Sequence, residues 1–157
     1  MKAKLYPILF LLAAGCSKDN TSCTITTETA PATEVEALQT YLDKNNIQAT
    51  KSAHGFFYVI DDRGSGAYPN GCSEVTVNYR GSLANGSVFD TASNITLPIS
   101  GLMAGWQQGL ALLKKGGRIT LYIPPTLAYG DQATSGIPAN SILIYSIELL
   151  DVAQAKD

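Results

Sequence analysis

The sequence predicts an α+β fold, an antiparallel β-sheet curled around one short helix, preceded by an N-terminal helix and a tether. Three observations predict it. Short alternating apolar runs recur between turn residues, as strands of an antiparallel sheet do. Fourteen Gly and seven Pro supply those turns. Only two stretches carry apolar residues at helical spacing, and one of them is short. The resulting order is helix, three strands, short helix, strand, long loop, strand.

Residues 1–15 read as a signal peptide rather than as part of the fold. Lys2 and Lys4 form a positive start, and Leu5 to Ala14 is an apolar run too short to span a membrane. The ending Leu12-Ala13-Ala14-Gly15-Cys16 resembles a bacterial lipobox, with Cys16 as the lipidated first residue. The alternative is an ordinary signal peptide with an incidental Cys16. Ser17, rather than Asp, after that Cys resembles outer-membrane sorting. The expected location is a bacterial cell envelope, lipid-anchored, facing the periplasm or the cell surface.

Residues 16–32 read as a lipidated tether, because Ser17 to Pro31 is rich in Ser, Thr and Asn. Setting Cys16 aside leaves Cys23 and Cys72. In an oxidising compartment these two form a candidate disulfide; the alternative is two free thiols.

Residues 33–54 hold the first helix and a linker. Thr33 with Glu36 fits a capping box, and Val35, Leu38, Tyr41 and Leu42 repeat at helical spacing up to Asn45-Asn46. The apolar stripe packs on its own domain or on a second copy as a homodimer, and the first is the better expectation. His54, the only His, is expected at the surface.

Residues 55–157 form the main domain. Phe56 to Ile60 is a strand. From Glu74 to Gly81, Val75, Val77 and Tyr79 share one face. Asn85-Gly86 is a hairpin turn, and Val88 to Asp90 continues as a strand. Thr96 to Ile99 is a separate short segment that Pro98 confines to an edge or bulge. Leu102 to Leu113 is the short helix, closed by Lys114-Lys115-Gly116-Gly117. Arg118 to Ile123 and Ile142 to Leu150 are strands. Between them, Leu127 to Asn140 is a long loop of the kind that carries function.

Charge excludes little but is informative. A net charge of -2 with 15% charged residues gives no basic patch for nucleic acid. With a single His, no Ser-His-Asp set and no zinc-ligand spacing can be assembled. No metal or cofactor is expected. What the chain offers is aromatic: Tyr79, Phe89, Trp106, Tyr129 and Tyr145.

All of these rings but Tyr145 lie within motifs of specific order and spacing: Tyr79-Arg80-Gly81, Phe89-Asp90, Gly105-Trp106 and Ala128-Tyr129-Gly130, followed by Gly136-Ile137-Pro138-Ala139-Asn140. Together they resemble the FKBP-type peptidyl-prolyl cis–trans isomerases over Asp61 to Val152. The resemblance implies an FKBP-like fold whose partners are proline-containing polypeptides. It implies that Tyr79, Phe89, Asp90, Trp106 and Tyr129 are the catalytic positions, with Trp106 beneath the proline ring. It implies that Leu97, Leu102, Met103, Ile137 and Tyr145 bind substrate. The Arg that commonly pairs with the rim carboxylate has no counterpart within Thr91 to Thr96, so the resemblance does not say what holds Asp90. A proline-binding or chaperone module with little turnover is the alternative function.

Overall fold

The computed structural model describes residues 23–154. The signal-peptide and Cys16 expectations therefore lie outside the described residues. The elements are α1 (Ala32–Lys44), β1 (Thr50–Lys51), β2 (Phe57–Asp62), β3 (Glu74–Leu83), β4 (Val88–Pro98), α2 (Ala104–Leu110), β5 (Arg118–Ile123) and β6 (Leu143–Ala153). Short 3₁₀ turns at Ile99–Gly101 and Pro125–Leu127 lead into and away from the functional region. All strands pair antiparallel, in the spatial order β1-β2-β5-β6-β3-β4.

The hairpin between β3 and β4 turns at Asn85-Gly86, where Gly86 has a φ of +87°. The Ser87 N–H bonds the Asn85 side chain at 2.9 Å, as an Asx turn does. Beyond the turn, β4 runs unbroken to Pro98. This corrects the expectation of two separate segments. The intervening residues stay paired because the register shifts twice, between Val77 and Tyr79 and between Gly81 and Ser82. At the first shift Asn94 adopts a φ of +54° and its N–H bonds Asn78 Oδ1 at 2.8 Å. Such bulges bend a strand and increase its twist, which here curls the outer ribbon. Pro98 sits at the end of an edge strand, where its missing donor costs nothing in the ladder.

Val75, Val77, Ile119, Leu121, Ile123, Leu143, Ile147 and Leu149 point inward and are buried. They receive α2, which is shorter than the sequence predicts. Its Gly105 and Gly109 explain how closely it packs. A Cβ at Gly105 would lie 2.6 Å from Ile123, and one at Gly109 would lie 2.6 Å from Leu121. The helix backbone thus rests directly on β5, with Leu110 and, just past the helix, Leu113 buried beside it.

Helix α1 ends as the sequence predicts and begins differently. Asn46 is left-handed (φ +54°), Ile47 N–H bonds Leu42 O, and Asn46 N–H bonds Asp43 O. That is a Schellman closure with Asn in the glycine position. At the other end Pro31 is the N-cap, with no side-chain cap, so the Thr33 capping box does not form. Glu34 instead takes two bonds from Thr126, one from its N–H at 2.9 Å and one from its hydroxyl at 2.8 Å. Val35, Leu38 and Leu42 are buried in the same core as the sheet. Leu38 is 0% and Leu42 1% exposed, so these residues pack on their own domain, while Tyr41 stays half-buried.

Two further expectations are corrected. From Cys23 onward the presumed tether is a strap bound to the domain. Gly71 N–H bonds Cys23 O at 3.0 Å, Ala30 N–H bonds His54 O at 2.9 Å, and Ala30 is buried. The polar composition of this segment signalled a solvated chain, but its backbone groups find partners on the fold. His54 is half-buried rather than exposed, and its Nδ1 is buried with no partner among the described residues. Cys23 and Cys72 are joined as a disulfide, with their Cα atoms 4.8 Å apart.

Candidate active site

Three strands and one helix bring the rings together. Tyr79 comes from the inner face of β3, Tyr145 from β6 and Trp106 from the first turns of α2. Trp106 and Tyr145 are each only 4% exposed. Tyr79 and Trp106 meet edge-to-face with centroids 5.1 Å apart, and Trp106 and Tyr145 do so at 5.0 Å. Phe89 meets Tyr145 the same way at 5.6 Å. Edge-to-face pairs of this kind contribute about 0.5–1.5 kcal/mol beyond the area they bury. They also fix ring planes, which gives the pocket a stiff floor.

Gly81 makes the arrangement possible. A Cβ there would lie 2.7 Å from both the Phe89 and the Tyr145 rings. The glycine in the Tyr79-Arg80-Gly81 motif is thus a space for two aromatic side chains.

The rings enclose one side of a pocket of about 380 Å³. Leu97 at the end of β4, Leu102 and Met103 before α2, and Tyr129 in the long loop complete its walls, with Asp90 at the rim. Of the ten predicted positions, the structure brings these eight together. Phe89 and Ile137 do not line the pocket. Phe89 supports Tyr145 from behind. Ile137, 5% exposed, is buried within the long loop, whose Thr134 and Ile137 backbones bond each other. A Cβ at Gly136 would lie 3.6 Å from that of Phe89, so the loop tip packs beside Phe89. Gly101 and Ala128 line the pocket too. Sequence reasoning missed them because small residues carry no chemical signal of their own.

What holds Asp90 is Tyr79, whose hydroxyl donates to Asp90 Oδ2 at 2.6 Å. The short O–H···O⁻ distance is that of a charge-assisted bond. Burial pushes the Tyr79 phenol up to about 12, with the Asp90 bond and charge adding to the effect. Burial likewise raises the Tyr145 phenol. Both phenols therefore stay neutral donors throughout the physiological range. Trp106 Nε1 is buried and meets no acceptor among the described residues.

The model of the family described as FKBP-type peptidyl-prolyl cis-trans isomerase matches residues 66–150. The isomerase FkpA of Buchnera aphidicola (subsp. Schizaphis graminum) is 47% identical over 108 residues, covering 66% of this chain and 43% of that protein. The chain thus spans less than half the length of that relative. The crystal structure of FkpA from Escherichia coli superposes with a TM-score of 0.72 at 38% identity, covering 80% of this chain and 62% of the other. A peptidyl-prolyl isomerase structure from Pseudomonas syringae pv. tomato gives 0.69 at 26% identity, covering 82% of this chain and all of the other. The pocket motifs from Tyr79 to Tyr145 all fall inside the matched residues. The family match over residues 66–150 and the shared fold show that this chain belongs to the FKBP-type peptidyl-prolyl cis–trans isomerase family.

Proposed function

We propose that the chain is a peptidyl-prolyl cis–trans isomerase that acts on exported polypeptides at a bacterial cell envelope. The observation that carries this reading is the closed set of Tyr79, Trp106 and Tyr145 rings beneath a pocket that holds no charge except Asp90 at its rim.

An X–Pro bond isomerises slowly because twisting it breaks amide resonance. The planar ground state is polar, with extra negative charge on its carbonyl oxygen; the twisted state has lost that delocalisation. A pocket walled by Leu97, Leu102, Met103 and the rings removes water and penalises the planar state more than the twisted one. That is differential binding of the transition state, and no bond is made to the protein. Trp106 is the floor beneath the proline ring. Tyr129, 41% exposed at the pocket mouth, donates its hydroxyl to a substrate carbonyl. Asp90 acts through its bond to Tyr79, holding the rim, because a carboxylate beside an electron-rich oxygen would repel it. Nothing in this scheme calls for a cofactor.

The envelope location rests on the lipobox-like sequence ending at Cys16 and on the Cys23–Cys72 pair, which suits an oxidising compartment. Lipid on Cys16 would anchor the chain; a Cys16→Ser variant that still fractionates with membranes would refute that part.

A protease-coupled assay on Xaa-Pro peptides tests the central reading. Acceleration over the uncatalysed rate that falls in Trp106→Ala and Tyr129→Phe is the expected result. No acceleration from folded wild-type protein overturns it. In that case, retained binding of proline peptides would leave a binding module on the same fold.

A further inference from the structure

We propose that Gln107 is a positioning residue for the pocket wall, and that through it the strap of residues 23–30 belongs to the isomerase machinery. The proposal rests on the isomerase reading above for its kinetic consequence, though not for its geometry.

Leu102 and Met103 form the wall beside Trp106, yet neither sits in a regular element. The chain leaves the edge strand β4, makes one 3₁₀ turn, and enters α2 only at Ala104. The helix does not hold the Leu102 carbonyl, since the first helical N–H groups, those of Trp106 and Gln107, both bond Met103 O. The Leu102 carbonyl is held by the Gln107 side chain, whose Nε2 donates to it at 2.8 Å.

The other end of the same amide faces the strap. Thr26 N–H donates to Gln107 Oε1 at 3.3 Å. A backbone N–H can meet only the oxygen of that amide, so the strap decides which end points at Leu102. The next residue repeats the theme. Gln108 is 4% exposed, and its Nε2 donates to Thr26 O at 3.1 Å and to Glu28 O at 2.8 Å. Both ends of the strap are fixed as well, by the Cys23–Cys72 disulfide and by the Ala30–His54 backbone bond. A continuous series of bonds therefore runs from the strap, through the residue following Trp106, to the pocket wall.

Both ends of the Gln107 amide are used, as is the Gln108 Nε2, while Gln108 Oε1 is buried with no partner among the described residues. Gln108 supports the strap and Gln107 joins the strap to the wall. Loss of that link would let Leu102 and Met103 shift against the substrate residue beside proline. Displacements of about 1 Å in positioning groups can cost up to ~10²-fold in rate. Because the wall keeps its own backbone path, a smaller loss of about three- to tenfold is expected here, read mainly in KM and unequal among peptides.

The experiment compares the full chain, with its disulfide intact, as wild type, Gln107→Leu, Gln107→Glu and Thr26→Pro. Gln107→Leu removes both bonds, Gln107→Glu keeps the acceptor for Thr26 but loses the donor to Leu102, and Thr26→Pro removes the strap's N–H together with the Thr26 hydroxyl that accepts from Glu28 N–H at 3.3 Å. Each is assayed on a panel of Xaa-Pro peptides differing in Xaa. Trp106 is the only tryptophan of the chain, so its emission reports the pocket floor directly. The expected result is a raised KM, an altered order of preference for Xaa and a changed Trp106 emission in all three variants. Combining Thr26→Pro with Gln107→Leu should add nothing further. Unchanged preference and emission, or a uniform loss across peptides that follows thermal stability alone, overturns the proposal. If the wild type is inactive, the isomerase reading falls instead. Proline-peptide titrations followed by Trp106 emission then decide the positioning role by themselves.

Discussion

The bond between Tyr79 and Asp90 is a polar contact that organises the pocket rim. Removing either partner leaves the other without its match, so the two act as a unit. Tyr79→Phe and Asp90→Ala should each lower kcat/KM by about three- to tenfold, as loss of a partly exposed bond to a charged group does. The double variant should be little worse than either single one, and a double-mutant cycle on kcat/KM checks this. The same residue gives a pH dependence with a definite sign. Its phenol ordinarily titrates near 10.0 and here near 12, so the native state keeps a proton that the unfolded chain releases. Stability from this group is therefore complete below about pH 10 and is lost as pH rises through about 12. Thermal midpoints followed from pH 9 to about 12 should fall more steeply in the wild type than in Tyr79→Phe. The ring positions of the pocket were legible in the sequence through the spacing of its motifs. The Tyr79–Asp90 bond was not, because it depends on a hairpin register that two bulges alter.

At the scale of the element, α2 shows what sequence periodicity can and cannot deliver. The apolar face with Trp106, Leu110 and Leu113 was readable. The helix's early end, and the adjoining buried face of Gly105 and Gly109, were not, since a glycine's value lies in what approaches it. Gly109→Ala would place a Cβ 2.6 Å from Leu121 and lift the helix from β5. A cost of about 1–3 kcal/mol in chemical denaturation is expected, as for other overpacked sites. A fall in isomerase rate should accompany it, since Trp106 rides on the same helix. For α1, pattern settled existence and chemistry settled the ends. Asn46 could be read as a helix stop, whereas the Thr33 cap was displaced by Pro31. Leu38→Ala should destabilise the fold by about 2–5 kcal/mol, the usual cost of emptying a fully buried leucine site. Sedimentation of that variant should show no change in assembly from the wild type, because Leu38 is packed inside its own chain.

For the whole molecule, an antiparallel sheet curled around one helix, with a long loop, could be foreseen from the order of elements; the strand order within the sheet could not. The strap could not, because a polar segment that buries its backbone through hydrogen bonds looks the same in sequence as one that stays in water. Its covalent fixing has a measurable weight. Replacing Cys23 and Cys72 by Ser should lower stability by about 2–4 kcal/mol, the typical value for a disulfide in a small domain. Urea midpoints with and without a dithiol reductant check this in the wild type.

The disulfide also decides how the molecule would carry a mechanical load. Cys23 is bonded to Cys72, two residues before β3 begins at Glu74. Tension applied along the residues that precede Cys23 would pass across that bond. It would enter the sheet at a strand paired on both sides, with β4 and with β6. The covalent loop between the two cysteines, which includes α1, β1 and β2, would bear none of it. A chain pulled from its N-terminal side would therefore resist at β3 while the strap and helix stayed slack.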